Sequence, residues 1–497
     1  SIRVEPCETA LRVQRVRDGE LIDPVHALRP HDEPLLACHG AVAQPHGVFR
    51  RLVLLALVLF SVVACDDDVT QFVFEAAIVD GNASNPVAGT DATTLRVGIA
   101  EGEQPIRELE FPITDGQFEA VLEFVSFSSI TRVRVELEGP TTDFITAPPA
   151  FVPSASRGFL QMVAAEPASC ELVSFNRMEA PRAEFGMVQS GTFALLAGGT
   201  TTTDEQVEFL DALEWGSRLF TEDFSLSSLG ATRAATVGEG QILVLPTDAG
   251  PFIFDMIDAS QRVTQVVLHA GAGPRSALVS IPGVGAMVIG GEAAGVPRSG
   301  VSLVESGGTV SSFSLSQARA GATATALGED VLVVGGDASG SAEILLAGNA
   351  MGQPITGVLD GIRDGGMLVG DGQTQALLIG GEDETSSLRQ DTLSFQSCPA
   401  ECTASPGPSW GTARLQAIVP QGSSLIVGGA ASPLVEAVRW EEGDVRIETV
   451  AQLNIPRASA GAIVYESGAF VIGGGDDGTG ARDDFEFCVP ASLTPLE

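Results

Sequence analysis

Short apolar runs that end in a pair of glycines recur from residue 170 onward, and successive pairs lie 44 to 48 residues apart. The first residues of these pairs are Gly198, Gly290, Gly335, Gly380, Gly428 and Gly473, and Pro246-Thr247 replaces the pair in one further copy. Between the runs, alternating apolar and polar residues such as VSLVE and VSSFSLS at 301–317 indicate further strands. Four strands in about 45 residues are typical of a propeller blade. The pattern therefore predicts an all-β chain with a seven-bladed, four-stranded β-propeller over 170–492.

An arginine precedes each pair by 13 to 17 residues. These repeat arginines are Arg182, Arg233, Arg275, Arg319, Arg363, Arg414 and Arg457. Proline stands directly before three of them, at Pro181, Pro274 and Pro456. Because the same residue type recurs in every unit, we expect its role to be structural.

The Pro-Arg start, the apolar strand and the glycine doublet resemble the kelch-repeat family, to which galactose oxidase belongs. The resemblance covers about 170–490 and implies a β-propeller fold. The family's tyrosine before the doublet and its tryptophan near the fourth strand are mostly missing here, and only Trp440 lies near such a place. The copper chemistry of galactose oxidase uses tyrosines and histidines, which Tyr465 and His269 alone cannot supply.

A second, smaller β-domain is predicted over residues 70–165. Strand-like alternation runs through 72–79, 95–99, 118–125 and 131–137, with turn residues such as Asp115-Gly116 between the runs. This pattern favours an immunoglobulin-like β-sandwich. No motif in it indicates a site.

The segment before this domain has the pattern of a secretory signal. Arg50 and Arg51 precede an uncharged run over 52–64, and Cys65 with three aspartates follows. Thirteen apolar residues span about 20 Å as a helix, which is short of a membrane core of about 30 Å. The ending VVAC resembles the bacterial lipobox, which implies cleavage of the signal 48–64 and acylation of Cys65 at the head of a tether, 65–69. A plain signal peptide is the alternative.

This segment predicts an extracytoplasmic, lipid-anchored protein of a bacterial cell envelope, with the choice of membrane left open. Residues 1–47 do not fit a signal peptide. They are interpreted either as an extension from a wrongly assigned start or as a disordered extension.

Charge and composition narrow the function. The 27 basic residues are all arginine and stand against 64 acidic ones, a net charge of −37, which argues against a nucleic-acid partner. Gly407-Pro408-Ser409-Trp410-Gly411 matches the nucleophile-elbow pattern, but no helix is expected after it and His269 lies far away. The same shortage of histidine and spare cysteine argues against zinc.

Four cysteines occupy related repeat positions. Cys170 and Cys402 each lie 12 residues before a repeat arginine, whereas Cys398 and Cys488 end third-strand segments. Third and fourth strands are neighbours in a blade, so we expect Cys398 to pair with Cys402, and Cys488 with Cys170. The second pair would join the ends of the propeller, with the last blade taking its fourth strand from 171–176. Free or differently paired thiols are the alternative.

Carboxylates collect directly after the glycine doublets, at Glu292, Asp337, Glu382, Asp383, Asp476 and Asp477. One interpretation is an acidic face that binds a ligand or calcium through oxygen atoms. The other is that these groups pair with the repeat arginines and fasten one loop to another, which their repetition favours. No other cofactor is expected, and calcium is the candidate ion.

The sequence favours a non-catalytic binding or scaffolding lipoprotein whose propeller holds a protein or glycan partner. The alternative is an envelope enzyme that acts on glycans through Asp, Glu and Arg on the propeller face.

Overall fold

The computed structural model describes most of residues 165–491 and several strands before them. The described residues are 10–12, 16–17, 20–21, 75–79, 91–101, 107–113, 130–140, 143–146, 159–163 and 165–491 without the gaps 191–192, 200–206, 212–215, 220–228, 257–262, 274, 338, 350, 356–362, 386, 400, 411–416, 421–422, 430–431, 442–443 and 466–467. Cys65, the apolar run 52–64 and the predicted strand 118–125 lie outside them.

The fold is all-β, as predicted. In the described part of the chain the one helical element is a short 3₁₀ turn, Ser306–Gly308. No helix among these residues is long and apolar enough to cross a membrane.

The described strands between 165 and 491 form seven antiparallel sheets, which we number by the sequence unit that supplies them. Consecutive strands are hydrogen-bonded and antiparallel in most of these sheets, and the exceptions to chain order lie in sheets 3 and 7. Strands β1 to β9 precede these sheets in the chain. β1 to β9 are Ala10–Arg12, Val16–Arg17, Glu20–Leu21, Glu75–Val79, Thr94–Glu101, Arg107–Pro112, Ile130–Glu138, Asp143–Thr146 and Phe159–Val163. Sheet 1 is β11 Gly186–Ser190, β12 Phe193–Ala197, β13 Val207–Asp211 and β14 Gly216–Leu219, and sheet 2 is β15 Thr232–Gly238, β16 Gln241–Pro246, β17 Phe252–Asp255 and β18 Val263–Gln265. Sheet 3 is β19 Ser276–Ile281, β20 Gly285–Gly290, β21 Glu292–Ala293, β22 Val296–Glu305 and β23 Val310–Arg319.

The remaining sheets follow the same order, apart from the strand that begins sheet 7. Sheet 4 is β24 Thr323–Leu327, β25 Asp330–Val334, β26 Ala342–Leu345 and β27 Gln353–Ile355, and sheet 5 is β28 Met367–Gly370, β29 Ala376–Ile379, β30 Thr392–Gln396 and β31 Thr403–Pro406. Sheet 6 is β32 Leu425–Val427, β33 Leu434–Glu441 and β34 Asp444–Gln452, and sheet 7 is β10 Ser169–Arg182 with β35 Gly461–Val464, β36 Phe470–Gly473 and β37 Arg482–Val489.

The apolar runs before the glycines are the second strands of their sheets. β20, β29 and β36 are buried along their whole length. A strand covered on both faces excludes polar residues at every position, and this explains continuous runs such as AMVIG and ALLI in place of alternation.

Each sheet packs against the next through a cluster of apolar side chains, and sheet 7 packs against sheet 1. Between sheets 3 and 4, for example, Met287 and Ile289 contact Val331 and Val333 in one cluster. Comparable clusters join sheets 1 and 2, 2 and 3, 4 and 5, 5 and 6, and 6 and 7. The cluster between sheets 7 and 1 includes Phe485 and Val471 on one side and Leu196 on the other.

Sheet 7 joins the two ends of this region of the chain. Its outer strand β10 comes before sheet 1 in sequence and pairs antiparallel with the last strand, β37. Cys170 lies directly opposite Cys488 in this register. The predicted fourth strand at 171–176 lies inside the longer β10.

Residues 70–165 contain two sheets within their described part. β5, β6, β7 and β8 form an antiparallel sheet in the order β6-β5-β7-β8, and β4 pairs with β1 and β9. The predicted runs 95–99 and 131–137 lie within β5 and β7, whereas β6 and β8 were not predicted. The sandwich itself stays a prediction.

Candidate functional site

Three repeat arginines form buried ion pairs with glutamates of sheets 1, 4 and 7. Arg182 pairs with Glu208, Arg319 with Glu343 and Arg457 with Glu486, at nitrogen–oxygen distances of 3.2, 2.8 and 2.9 Å. All six side chains are 0% exposed. A buried guanidinium needs such a partner, because a charge removed from water without compensation is strongly destabilising.

The partner glutamates were not predicted. Each lies on the third strand, opposite the residue two positions before the first glycine, as Glu343 lies opposite Val333. Glu436 occupies the same position in sheet 6 and accepts a hydrogen bond of 2.7 Å from the indole of Trp410. The signal in the sequence is a lone glutamate inside an apolar third strand, as in VEFLD, AEILL and FEFC.

The same arginines fasten the glycine doublets. Their guanidinium groups donate to the carbonyl of the first glycine at 2.7 to 3.1 Å, and the pairs are Arg182 to Gly198, Arg319 to Gly335, Arg363 to Gly380 and Arg457 to Gly474. The second glycine of the preceding sheet donates its N–H to the arginine carbonyl, in Gly291 to Arg319, Gly429 to Arg457 and Gly475 to Arg182. Arg182, Arg319 and Arg457 therefore each connect two neighbouring sheets.

These contacts identify the doublet of the last unit as Gly474-Gly475, one residue later than the sequence spacing predicts. Gly473 belongs to β36 and pairs with Phe485, whereas Gly474 has a φ of 61°. A Cβ on Gly474 would lie 2.6 Å from the Arg182 carbonyl oxygen. Left-handed backbone and close approach to the next sheet both require glycine here.

The carboxylates after the doublets accept hydrogen bonds from residues close to them in the chain. Burial alone would raise the pKa of Asp337, but hydrogen bonds from Ser339 and Ser341 and the charge of Arg319 at 3.0 Å lower it below its ordinary value. The Thr479 hydroxyl and Arg482 lower the pKa of Asp477 far below its usual range.

The other loop carboxylates have separate surroundings. Asp383 accepts hydrogen bonds from Thr385 and Ser387, which lower its pKa, and Asp476 accepts from the Gly478 N–H at 2.7 Å. Glu382 forms a backbone bridge with Asp364. Among the described residues no group of three or more His, Cys, Asp or Glu side chains could hold a metal ion.

Sheet 3 departs from the repeat. His269 takes the place of the buried arginine, and its Nε2 lies 2.7 Å from the Gly290 carbonyl oxygen, which can only accept, so Nε2 carries the proton. Its Nδ1 lies 3.0 Å from Ser302 Oγ, and Ser302 occupies the position that holds glutamate in sheets 1, 4, 6 and 7. Burial lowers the pKa of His269, against the opposing effect of the Gly290 hydrogen bond.

Displaced from that position, Arg275 is 47% exposed and lies among the loops. It pairs with Glu292 at 3.0 Å and with Asp364 of the loop before sheet 5. Gly321, with a φ of 79°, makes room for this contact, because a Cβ there would overlap Asp364. Arg275, Glu292 and Asp364 therefore join loops of sheets 3 and 5 across sheet 4.

The three remaining repeat arginines do not form the buried pair with a third-strand glutamate in the described residues. Arg363 is buried and pairs with Asp391 at the start of the third strand. Arg233 is exposed and donates to the Ser276 carbonyl, and Phe252 occupies the position that holds glutamate in sheets 1, 4, 6 and 7. Arg414 lies outside the described residues.

The predicted cysteine pairs come together. Cys170 and Cys488 form a disulfide with Cα atoms 4.0 Å apart, and Cys398 and Cys402 form one with Cα atoms 4.2 Å apart. The first joins β10 to β37, and the second spans the connection between β30 and β31.

Comparison with known proteins does not assign the chain to a family. No protein-family model matches the chain, and no curated protein matches it. A solved structure titled "Structure of YjhT" is similar, with 10% identity over 62% of this chain and 95% of that chain and a TM-score of 0.37. At that TM-score the likeness carries no argument about fold or function.

Proposed function

We propose that the seven sheets are blades of a kelch-like β-propeller over 170–492, and that this propeller is a non-catalytic binding or scaffolding module. Seven apolar clusters support the propeller, because they join each sheet to the next and sheet 7 to sheet 1. A closed circle of sheets removes exposed sheet faces, which is how propellers bury apolar strands.

One observation carries the preference for binding over catalysis. The glutamates that could serve as a general acid or base are paired with repeat arginines and are 0% exposed in sheets 1, 4 and 7. Their function there is to hold the sheets together, which leaves recognition to the loops, where the sheets differ from one another.

The proposed partner is a protein or glycan of the bacterial cell envelope. The lipobox-like ending at Cys65 supports a lipid anchor, and the β-domain over 70–165 would separate the propeller from the membrane. Labelling with a palmitate analogue tests the anchor. Wild type should label and Cys65→Ala should not, and equal labelling of both would refute acylation at Cys65.

Photo-crosslinking tests the binding role. Val296 and Asn349 are both exposed. Val296 begins β22, at the end of sheet 3 where the chain returns from β20, and Asn349 lies between β26 and β27 of sheet 4. Consecutive connections of a back-and-forth antiparallel sheet lie at opposite ends of its strands, so the connection after the second strand and the one after the third sample opposite faces. A photoreactive residue at 296 should capture a discrete partner in intact cells, and one at 349 should not.

Excess purified protein should abolish the crosslink at 296. Equal capture from both positions, or from neither, would overturn the proposed binding face. Release of sugar from envelope glycans by the purified protein would replace the binding module by the enzyme.

A further inference from the structure

Sheet 3 contains an arginine without an acidic partner. Arg298 donates its backbone N–H to the Gly291 carbonyl at 2.9 Å, the second glycine of the doublet. Arg389 and Arg482 make the same backbone hydrogen bond to Gly381 and Gly475, also at 2.9 Å. The three arginines therefore occupy one structural position in sheets 3, 5 and 7.

In sheets 5 and 7 the guanidinium group at this position is paired with an aspartate two residues later. Arg389 Nε donates to Asp391 at 3.1 Å, and Arg482 Nε donates to Asp484 at 3.0 Å. In sheet 3 the corresponding residue is Gly300. The ring of His269 occupies the space, because a Cβ on Gly300 would lie 2.5 Å from its Cδ2.

Arg298 is left with an unmet donor. Its Nε is buried and has no hydrogen-bond partner, and its side chain forms no ion pair within the described part of the chain. The side chain packs over Gly271, where a Cβ would lie 2.4 Å from Arg298 Cγ. A buried donor without an acceptor is costly, so native proteins rarely keep one without a reason.

The charges near Arg298 cancel when Arg298 itself is included. Arg275 is paired with Glu292 and Asp364, so these three groups together carry one negative charge, which Arg298 balances. This neutral sector contrasts with the net charge of −37 on the whole chain. An arginine offers a carboxylate a planar, two-point hydrogen-bonding partner.

We propose that Arg298 is the anchor of a binding site for the carboxylate group of a small organic acid. The ligand supplies a carboxylate, as Asp391 and Asp484 do in sheets 5 and 7, but it approaches from outside, because the His269 ring fills the place of those aspartates. This site deepens the proposed binding function and rests on it, since it names a ligand chemistry for the loop face.

Calorimetric titration of the full-length protein tests the site with matched probes. Glucuronate and acetate carry a carboxylate, whereas glucose and acetamide are their neutral counterparts. The acids should bind and the neutral compounds should not. Arg298→Gln should weaken glucuronate binding at least about tenfold, whereas Arg389→Gln, the same change at the matched position, should leave it unaltered.

Two further variants separate binding from structure. His269→Ala combined with Gly300→Asp supplies an internal carboxylate and should block glucuronate. Arg298→Gln should unfold at the same denaturant concentration as wild type or a higher one, since it removes an unmet donor, whereas Arg389→Gln should unfold earlier.

The site is refuted if wild type binds neither acid, if Arg298→Gln binds glucuronate as wild type does, or if Arg298→Gln is destabilised like Arg389→Gln. None of these results would affect crosslinking from position 296, so failure of the site is distinguishable from failure of the binding module.

Discussion

The disulfide between Cys170 and Cys488 should contribute more stability than any other single cross-link between the described residues. It connects positions 318 residues apart, whereas Cys398 and Cys402 are separated by 4. In the chain-entropy model a cross-link stabilises by restricting the unfolded chain, so its effect grows with the logarithm of the loop length. The model gives about 5 to 6 kcal/mol for the long loop and about 2 kcal/mol for the short one.

Removing the long-range cross-link should destabilise sheet 7 without unfolding it. β10 stays paired with β37, and the Gly475 N–H still donates to the Arg182 carbonyl at 2.7 Å. Cys170→Ala with Cys488→Ala should therefore give a folded protein whose amides in β10 and β37 exchange faster with solvent. Alanine is the suitable replacement because both cysteines are buried among apolar residues.

Urea unfolding followed by fluorescence gives the measurement, with Cys398→Ala/Cys402→Ala as the matched control. The long-range double variant should lose about 4 kcal/mol more than the control. Reducing the wild type should reproduce the sum of both losses. Equal losses in the two double variants, or a larger loss in the control, would refute the idea that this pair closes the ends of the chain region.

Three further predictions follow from the contacts. Glu208→Gln leaves Arg182 with an uncompensated buried charge and should cost about 3 to 5 kcal/mol in urea unfolding, while adding Arg182→Met should restore much of that loss. Gly474→Ala should destabilise more than Gly478→Ala; both have left-handed backbone, but only at 474 would the new Cβ meet a neighbouring carbonyl, and equal midpoints would contradict this. The depressed pKa of His269 means that the unfolded chain binds the extra proton, so folding stability should fall as the pH drops below about 6.5; His269→Gln should flatten that part of the pH profile, and an unchanged slope would count against it.

The sequence by itself determined the elements that depend on local pattern. Apolar runs such as AMVIG and ALLI became the buried second strands, because a continuous apolar stretch of that length is stable only when covered on both faces. The cysteine pairing was also predictable, since equal distances from a repeat arginine place residues at equal heights in successive sheets.

Only the tertiary structure decided which side chains meet. The arginines were expected to pair with loop carboxylates, and Arg275 does so with Glu292 and Arg319 with Asp337. Three of the arginines also lie against glutamates on third strands, which the sequence did not predict. The true doublet of the last unit is Gly474-Gly475, and Arg275 meets Asp364 at a distance of 89 residues along the chain. A repeat pattern specifies strands and their order, whereas a charged partner depends on which face of a strand a residue occupies and on how far each loop reaches. For the same reason, the substitution of His269 and Ser302 for an arginine and a glutamate, and the unpaired Arg298 beside them, become visible only when the seven sheets are compared position by position in space.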